Sequence, residues 1–253
     1  MSLILTTHDH TMETTLCFDF GNTRLKCAVF EGRNFKEEKV LFTAEETSIQ
    51  ELIDQYQPVK SILSSVIKHP LEIESLLAKH TRFHKLDHNS KLPLTTPVGK
   101  PETIGADRLA ICAAAVDLFP NQHNLAIGLG TCITYNYVNK AHEFLGGSIS
   151  PGMNMRFRAM HEQTALLPLI TAEASFPLVG FDTKTNILSG VILGMCKEID
   201  GIIEAYALKY SNFNVLLTGG DMGFFVPHLK NKIFADPNLI YKGLYAISEY
   251  NNR

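Results

Sequence analysis

Five residues within eight positions, Asp19-x-Gly21-Asn22-Thr23-x-x-Lys26, combine a carboxylate, a turn, two hydrogen-bonding side chains and a cation. A tight turn between two strands points successive backbone N–H groups outward. Glycine admits a close phosphate, Thr and Asn donate hydrogen bonds, and Lys brings charge. A carboxylate at the strand end holds Mg²⁺, usually through water. One such turn alone is read as simply as an ordinary Gly-Asn hairpin. A second one changes the balance. Ile127-Gly-Leu-Gly-Thr131 repeats the strand–turn–strand of Phe18-Asp-Phe-Gly-Asn-Thr23 with one residue fewer. Two phosphate turns facing each other across a cleft form a nucleotide-binding arrangement.

Leu216-Leu-Thr-Gly-Gly-Asp221 is a third piece: a strand ending in paired glycines, whose backbone can lie flat against a nucleoside or phosphate, or simply turn into a helix. Gly105-Ala106-Asp107-Arg108 opens a helix with a carboxylate beside a guanidinium, which pairs a base with an anion clamp. Asp in a first helical turn is also common for dipole reasons alone. Gly146-Gly147-Ser-Ile-Ser-Pro151-Gly152 ends a strand and starts a helix, with Pro151 at an early helical position. His80, His84 and His88 stand four apart, but Phe83–Leu86 reads as strand, where that spacing does not converge on a metal. Met153, Met155, Phe157 and Met160 have the spacing of core packing.

The elements that must position these groups follow from pattern. Strands are expected at Leu16–Phe20, Arg24–Phe30 and Phe35–Phe42, then a helix through Ile49–Tyr56 with Thr43 near its cap. Strand Lys60–Ile67, helix Pro70–Lys79 and short strand Phe83–Leu86 come next. A loop with three prolines spans Asn89–Thr103, and the helix Leu109–Phe119 carries small residues suited to close packing. The pattern then restarts: strands at Leu125–Leu129, Cys132–Val138 and Glu143–Ile149, a long helical segment Thr183–Tyr210, strand Asn214–Leu217 and a terminal helix Leu239–Tyr250. Repetition on this scale predicts two similar α/β halves, 12–119 and 120–253. Residues 1–11 read as an extension, with Met12 a candidate natural start.

Length and composition agree. At 253 residues the chain holds about 1.7 average domains. Its 45% hydrophobic and 19% charged residues suit a globular core, and the net charge of -3 argues against a general polyanion binder. Five cysteines without a CxxC pair fit a reducing cytoplasm and neither a disulfide framework nor a thiolate zinc site. No apolar run approaches 18 residues, so no membrane span is expected.

Taken in order, Asp19-x-Gly-Asn-Thr-x-x-Lys26, Gly105-Ala-Asp-Arg108, Gly130-Thr131, Gly146-Gly-x-Ile-x-Pro-Gly152 and Thr218-Gly-Gly220 resemble the type III pantothenate kinases, over nearly the whole chain from about Leu16. The resemblance implies two ribonuclease-H-like halves of the superfamily of sugar kinases, heat-shock ATPases and actin, with the active site in the cleft between them. It implies ATP-dependent phosphorylation of pantothenate, the first step of coenzyme A synthesis, by a homodimer that uses Mg²⁺ and a monovalent cation, K⁺ or NH₄⁺. It places ATP on Asp19, Phe20, Gly21, Asn22, Thr23, Arg24, Leu25, Lys26 and Thr131, with Asp19 on the Mg²⁺ side. It makes Asp107 the general base, places pantothenate on Gly105, Ala106, Asp107 and Arg108, and adds Thr183 from the neighbouring subunit. Two positions depart from the family. Gly128 stands where an aspartate helps bind the monovalent cation, with Asn136, Asp221 or backbone carbonyls as possible substitutes. Val98 stands where a tyrosine precedes the Gly-Ala-Asp-Arg motif. Another small-molecule kinase of the superfamily, and a non-catalytic transcription accessory protein, are the competing functions. Intact Asp19, Lys26, Asp107 and Arg108 speak against the second.

Overall fold

The computed structural model describes residues 12–252; the expected extension, residues 1–11, lies outside them. Two five-stranded mixed sheets carry the fold. The first is built from β1 (Thr14–Phe20), β2 (Leu25–Glu31), β3 (Asn34–Leu41), β4 (Lys60–Ser65) and β5 (Arg82–Lys85), with helices α1 (Glu46–Tyr56) and α2 (Leu71–His80) between the later strands. Helix α3 (Ala106–Leu118) leads into the second sheet: β6 (His123–Leu129), β7 (Cys132–Val138), β8 (Phe144–Pro151), then helix α4 (Met153–Glu162). A continuous helical rod follows as α5 (Thr183–Leu188), a π-helical turn at Ser189–Leu193 and α6 (Gly194–Lys209). Strand β9 (Phe213–Thr218), the short helix α7 (Met222–Phe225), strand β10 (Phe234–Ala235) and helix α8 (Leu239–Asn251) complete the chain.

The sheets share one topology. Their orders are β3-β2-β1-β4-β5 and β10-β9-β6-β7-β8, the second being the first read from the other edge. In each, the first three strands form an antiparallel meander and the fourth and fifth add in parallel. Even the burial along β1 and β6 matches, with Asp19 and Gly128 as the partly exposed sixth residues. The repeat read from two short turn motifs is therefore a repeat of whole sheets, with its central strands buried on both faces.

Helix α8 packs on α3 and against β1 and β4 of the first sheet. Its approach to α3 is unusually close, because a Cβ at Gly243 would run into the Ala110 carbonyl. The alanines of α3 and the absent side chain of Gly243 let the two backbones meet, as the small-residue stripe in α3 predicts.

Helix α1 is capped at Glu45, which makes no side-chain capping bond, and Thr43 stands two residues ahead of that cap. Other local details differ from expectation. Pro151 is the last residue of β8, paired with Cys132, and α4 starts at Met153. Pro tolerates this place because β8 is an edge strand, where one N–H can go unpaired. The rod 183–209 is not uniformly α-helical: the turn at Ser189–Leu193 widens, and the Ser189 hydroxyl donates to the Leu178 carbonyl at 2.8 Å. Met153 and Phe157 are core residues, whereas Met155 is exposed.

Candidate active site

The first turn is closed by the Gly21 N–H donating to the Arg24 carbonyl at 3.1 Å, and the second by the Gly130 N–H donating to the Cys132 carbonyl at 3.1 Å. The shorter second turn is visible directly in those closures. The two turns meet: the hydroxyls of Thr23 and Thr131 are 3.2 Å apart. Asn22, Thr23, Arg24, Gly130 and Thr131 are all exposed at that meeting point, with the Gly130 N–H spent on closing its turn and the two threonine hydroxyls facing each other.

The second turn is braced from two sides. A Cβ at Gly152 would collide with the carbonyls of Gly130 and Thr131, and the Gly152 N–H donates to the Thr131 carbonyl at 3.0 Å. Gly219, at φ +105°, lies against the Leu129 carbonyl, and the Asp221 N–H donates to that same oxygen at 3.2 Å. One glycine from each of the Gly146–Gly152 and Thr218–Gly220 motifs, Gly152 and Gly219, thus serves close packing behind the turn, while Gly147 packs on the Tyr135 carbonyl of β7.

Asp19 pairs with Lys26 across β1 and β2 and with Ser64 across β1 and β4, so the three side chains share one face of the first sheet. Asp107 and Arg108 sit in the first turn of α3. Burial first, and then the charge of Asp107, push the Asp19 carboxyl up to about 7, with Lys26 pulling it down and Glu38 pushing it up. The Asp107 carboxyl is raised as well: burial outweighs the Arg108 N–H and guanidinium, which favour its charged form. Its placement depends on Gly105, whose Cβ would fall 2.5 Å from Asp107 Oδ1. Two carboxyls raised by burial thus stand beside the first turn, a combination that clusters at functional sites.

Arg108 is fixed rather than free. Its Nε donates to Asn136 Oδ1 at 2.6 Å and its guanidinium stands 5.5 Å from the Phe144 ring centre. Buried Asn136 in turn donates from Nδ2 to the Ala126 carbonyl at 3.1 Å and to Thr134 Oγ1 at 3.2 Å. This chain of bonds runs up to Gly128, where an added Cβ would stand 2.9 Å from Thr134 Oγ1.

Other expected residues lie apart. Thr183 is exposed at the start of α5, beside an Asp182–Thr185 capping box. Val98 packs on the core beneath the α3–α8 pair. His80 ends α2, His84 lies on β5 with its Nε2 2.8 Å from Ser90 Oγ, and His88 is in the following loop, so they share no face. Three site residues escaped the sequence reading: Ser64, Glu38 and Tyr241. Glu38 is legible in principle, because register places it beyond Lys26 on the same face of the hairpin. Tyr241 has no local signal.

A family model described as type III pantothenate kinase matches residues 15–205. A type III pantothenate kinase of Christiangramia forsetii is 39% identical over 238 residues, covering 93% of this chain and 98% of that protein. Among solved structures, a Campylobacter jejuni protein described as a Baf family transcriptional activator is similar with a TM-score of 0.59 at 19% identity, covering 94% of this chain and 98% of that one. A glucokinase from an Antarctic psychrotroph reaches a TM-score of 0.51 at 11% identity, covering 94% and 98%. At such identities both show the fold alone, the two-lobed α/β fold of actin-like ATPases and sugar kinases. The family match, the relative's identity and the ordered motifs assign the chain to the type III pantothenate kinases.

Proposed function

We propose that this kinase transfers the γ-phosphoryl group of ATP to the hydroxyl of pantothenate in the cleft where the Thr23 and Thr131 turns meet, with Asp107 as the general base. The observation that carries this reading is that the two turns meet at Thr23 and Thr131 while the carboxyls of Asp19 and Asp107 lie close enough to feel each other's charge. Phosphoryl transfer needs mainly positioning and charge stabilisation. The N–H groups and side chains of Asn22, Thr23, Arg24 and Thr131 orient the phosphates, with Gly21 and Gly130 closing the turns that present them. Lys26 adds positive charge, and Phe20 and Leu25 frame the turn. Arg108, held by Asn136, clamps the pantothenate carboxylate, with Gly105 and Ala106 leaving room beside it. Asp107 accepts the hydroxyl proton as the oxygen attacks, and its raised affinity for protons suits a base working near neutral pH.

The residues present fit Mg²⁺. Asp19 supplies a hard oxygen ligand, and the buried hydroxyl of Ser64 beside it has no hydrogen-bond partner among the described residues, as expected of a group that serves a hydrated cation. Mg²⁺ bound there neutralises charge on the transferring phosphates. The fit is poor for K⁺ or NH₄⁺ at Gly128: the glycine itself offers no carboxylate and Asn136 Oδ1 is already taken by Arg108, which leaves Asp221, bound through its N–H to the Leu129 carbonyl, and backbone carbonyls. We therefore assign this enzyme a weaker need for a monovalent cation.

A homodimer is supported by the surface around Thr183. Leu166, Leu169, Leu178, Val179 and Phe181 are exposed, Leu166 at 92%, next to the outward-facing Gly190 and Gly194 of the helical rod. Two halves, 12–119 and 120–253, remain the natural division, with α8 returning over the first sheet. No helix among the described residues is long and apolar enough to cross a membrane, the free cysteines suit a reducing cytoplasm, and the net charge of -3 speaks against a nucleic-acid partner.

The test is ADP release by the purified protein with and without pantothenate. Release that requires pantothenate, and falls about 10²–10⁴-fold in Asp107→Asn with ATP binding kept, is the expected result. Release that responds instead to a sugar or an acyl acid would overturn the substrate assignment.

A further inference from the structure

The ammonium of Lys26 is anchored. Its Nζ donates to Glu38 Oε2 at 2.9 Å, and the hydroxyl of Tyr241 donates to the same oxygen at 2.7 Å. Tyr241 is fully buried in α8, and its ring stacks on Phe35 of β3 at 6.3 Å between centres. Glu38 stands on β3, the edge strand of the first sheet, and Lys26 on β2 directly opposite Asp19. Three residues from three elements therefore share one carboxylate oxygen next to the phosphate turn, and Tyr241 lies outside the residues matched by the family model.

A lysine on a hairpin ordinarily samples many rotamers and gives up that freedom when it is ordered. Here one of its three N–H donors is committed to an acceptor that is itself held by a buried phenol, and the other two remain for another partner. Only one side of this contact is mobile, because Tyr241 is locked by the packing of α8 and by Gly243 two residues on, which seats α8 on α3. That same α3 carries Asp107, so the fold ties the direction of Lys26 to the helix that presents the base.

We propose that Glu38 and Tyr241 are positioning residues that aim Lys26 at the phosphates of the nucleotide. This rests on the reading of Lys26 as a phosphate contact. Electrostatics alone predicts the opposite influence of Glu38: an anion beside a polyphosphate repels it, so its removal should tighten nucleotide binding. If aiming dominates, removal weakens binding despite the lost repulsion, so the sign decides the question.

The experiment is a double-mutant cycle on ATP kinetics with Lys26→Gln, Glu38→Gln and Tyr241→Phe, each variant checked for an unchanged melting temperature. Expected are a KM for ATP raised about 5- to 20-fold by Glu38→Gln and about 2- to 5-fold by Tyr241→Phe, with kcat changed less, and no further rise from either in the Lys26→Gln background. A KM for ATP that falls in Glu38→Gln, or stays level in Tyr241→Phe, overturns the proposal, as do effects that add to that of Lys26→Gln. Should Lys26→Gln itself leave the KM unchanged, the phosphate role of Lys26 fails and the proposal falls with it. Should Tyr241→Phe lose stability, Glu38→Gln with its Lys26→Gln partner decides alone.

Discussion

The hydroxyls of Thr23 and Thr131 stand 3.2 Å apart although 108 residues separate them in the chain. Each closes the tip of an equivalent turn in one of two equivalent sheets, so their contact marks the place where the halves of the repeat face one another. Everything proposed to hold the nucleotide lies around that point, and Asp107, the proposed base, enters from α3, the helix that joins the sheets.

The seat of Asp107 yields the first prediction. Because a Cβ at Gly105 would lie 2.5 Å from Asp107 Oδ1, Gly105→Ala must rotate the carboxylate away. A displaced base loses most of its contribution, so kcat should fall about 10- to 10³-fold while the melting temperature stays within a few degrees. Steady-state kinetics beside a thermal melt decide this; an unchanged kcat would mean that catalysis does not use this orientation of Asp107.

Asp19 predicts a pH dependence. With its carboxyl at about 7 in the ligand-free protein, it becomes protonated on the acid side of neutrality and loses its hold on a cation. kcat/KM for ATP at low Mg²⁺ should fall below about pH 7, with the midpoint moving to lower pH as Mg²⁺ is raised.

The same shift acts on stability. The folded value lies above the ordinary 3.8 of an unfolded Asp, so the fold binds a proton that the unfolded chain has lost. Stability from this group is present below pH 4 and declines as pH rises toward 7. Asp19→Asn should therefore stabilise the ligand-free protein by about 1–2 kcal/mol at pH 8 and by much less at pH 5, read from denaturant melts. Equal effects at both pH values would show that Asp19 ionises without penalty.

Gly128 predicts a weak monovalent-cation response. At fixed ionic strength, rates in K⁺, NH₄⁺ and a bulky inert cation should agree within about 2-fold, since Gly128 offers no side-chain oxygen. Saturable activation by low millimolar K⁺ would refute this. Gly128→Asp together with Thr134→Ala, which removes the hydroxyl 2.9 Å from the new Cβ, should introduce activation that the native chain lacks.

The helical rod predicts the assembly. Gly194 faces outward with nothing within 4 Å of an added Cβ, so Gly194→Arg leaves the folded protomer unstrained and puts bulk and charge on the surface proposed to pair. Sedimentation should show a dimer for the native protein at micromolar concentration and a monomer for the variant. A native monomer, or a variant dimer, would move the interface elsewhere.

The sequence by itself determined the elements and the order of the motifs, because both are short-range properties. Alternation and helical spacing act over a few residues, and a turn such as Gly21–Arg24 or Gly130–Cys132 is closed by neighbours. The repeat was legible for the same reason, as two local patterns of one kind. Pro151 falls in β8 rather than in the helix because strand ends are decided by pairing: β8 keeps Pro151 through its partner Cys132. What only the tertiary structure decided is which of these local pieces touch. Tyr241 reaches Glu38 across 203 residues, Arg108 finds Asn136, and Ser64 is buried beside Asp19. No spacing announces such contacts, since they depend on how α8 and α3 settle on the sheet through Gly243 and Ala110. The shifted carboxyls of Asp19 and Asp107 belong to the same class: burial and a neighbouring charge move them, and both exist only once the chain has packed.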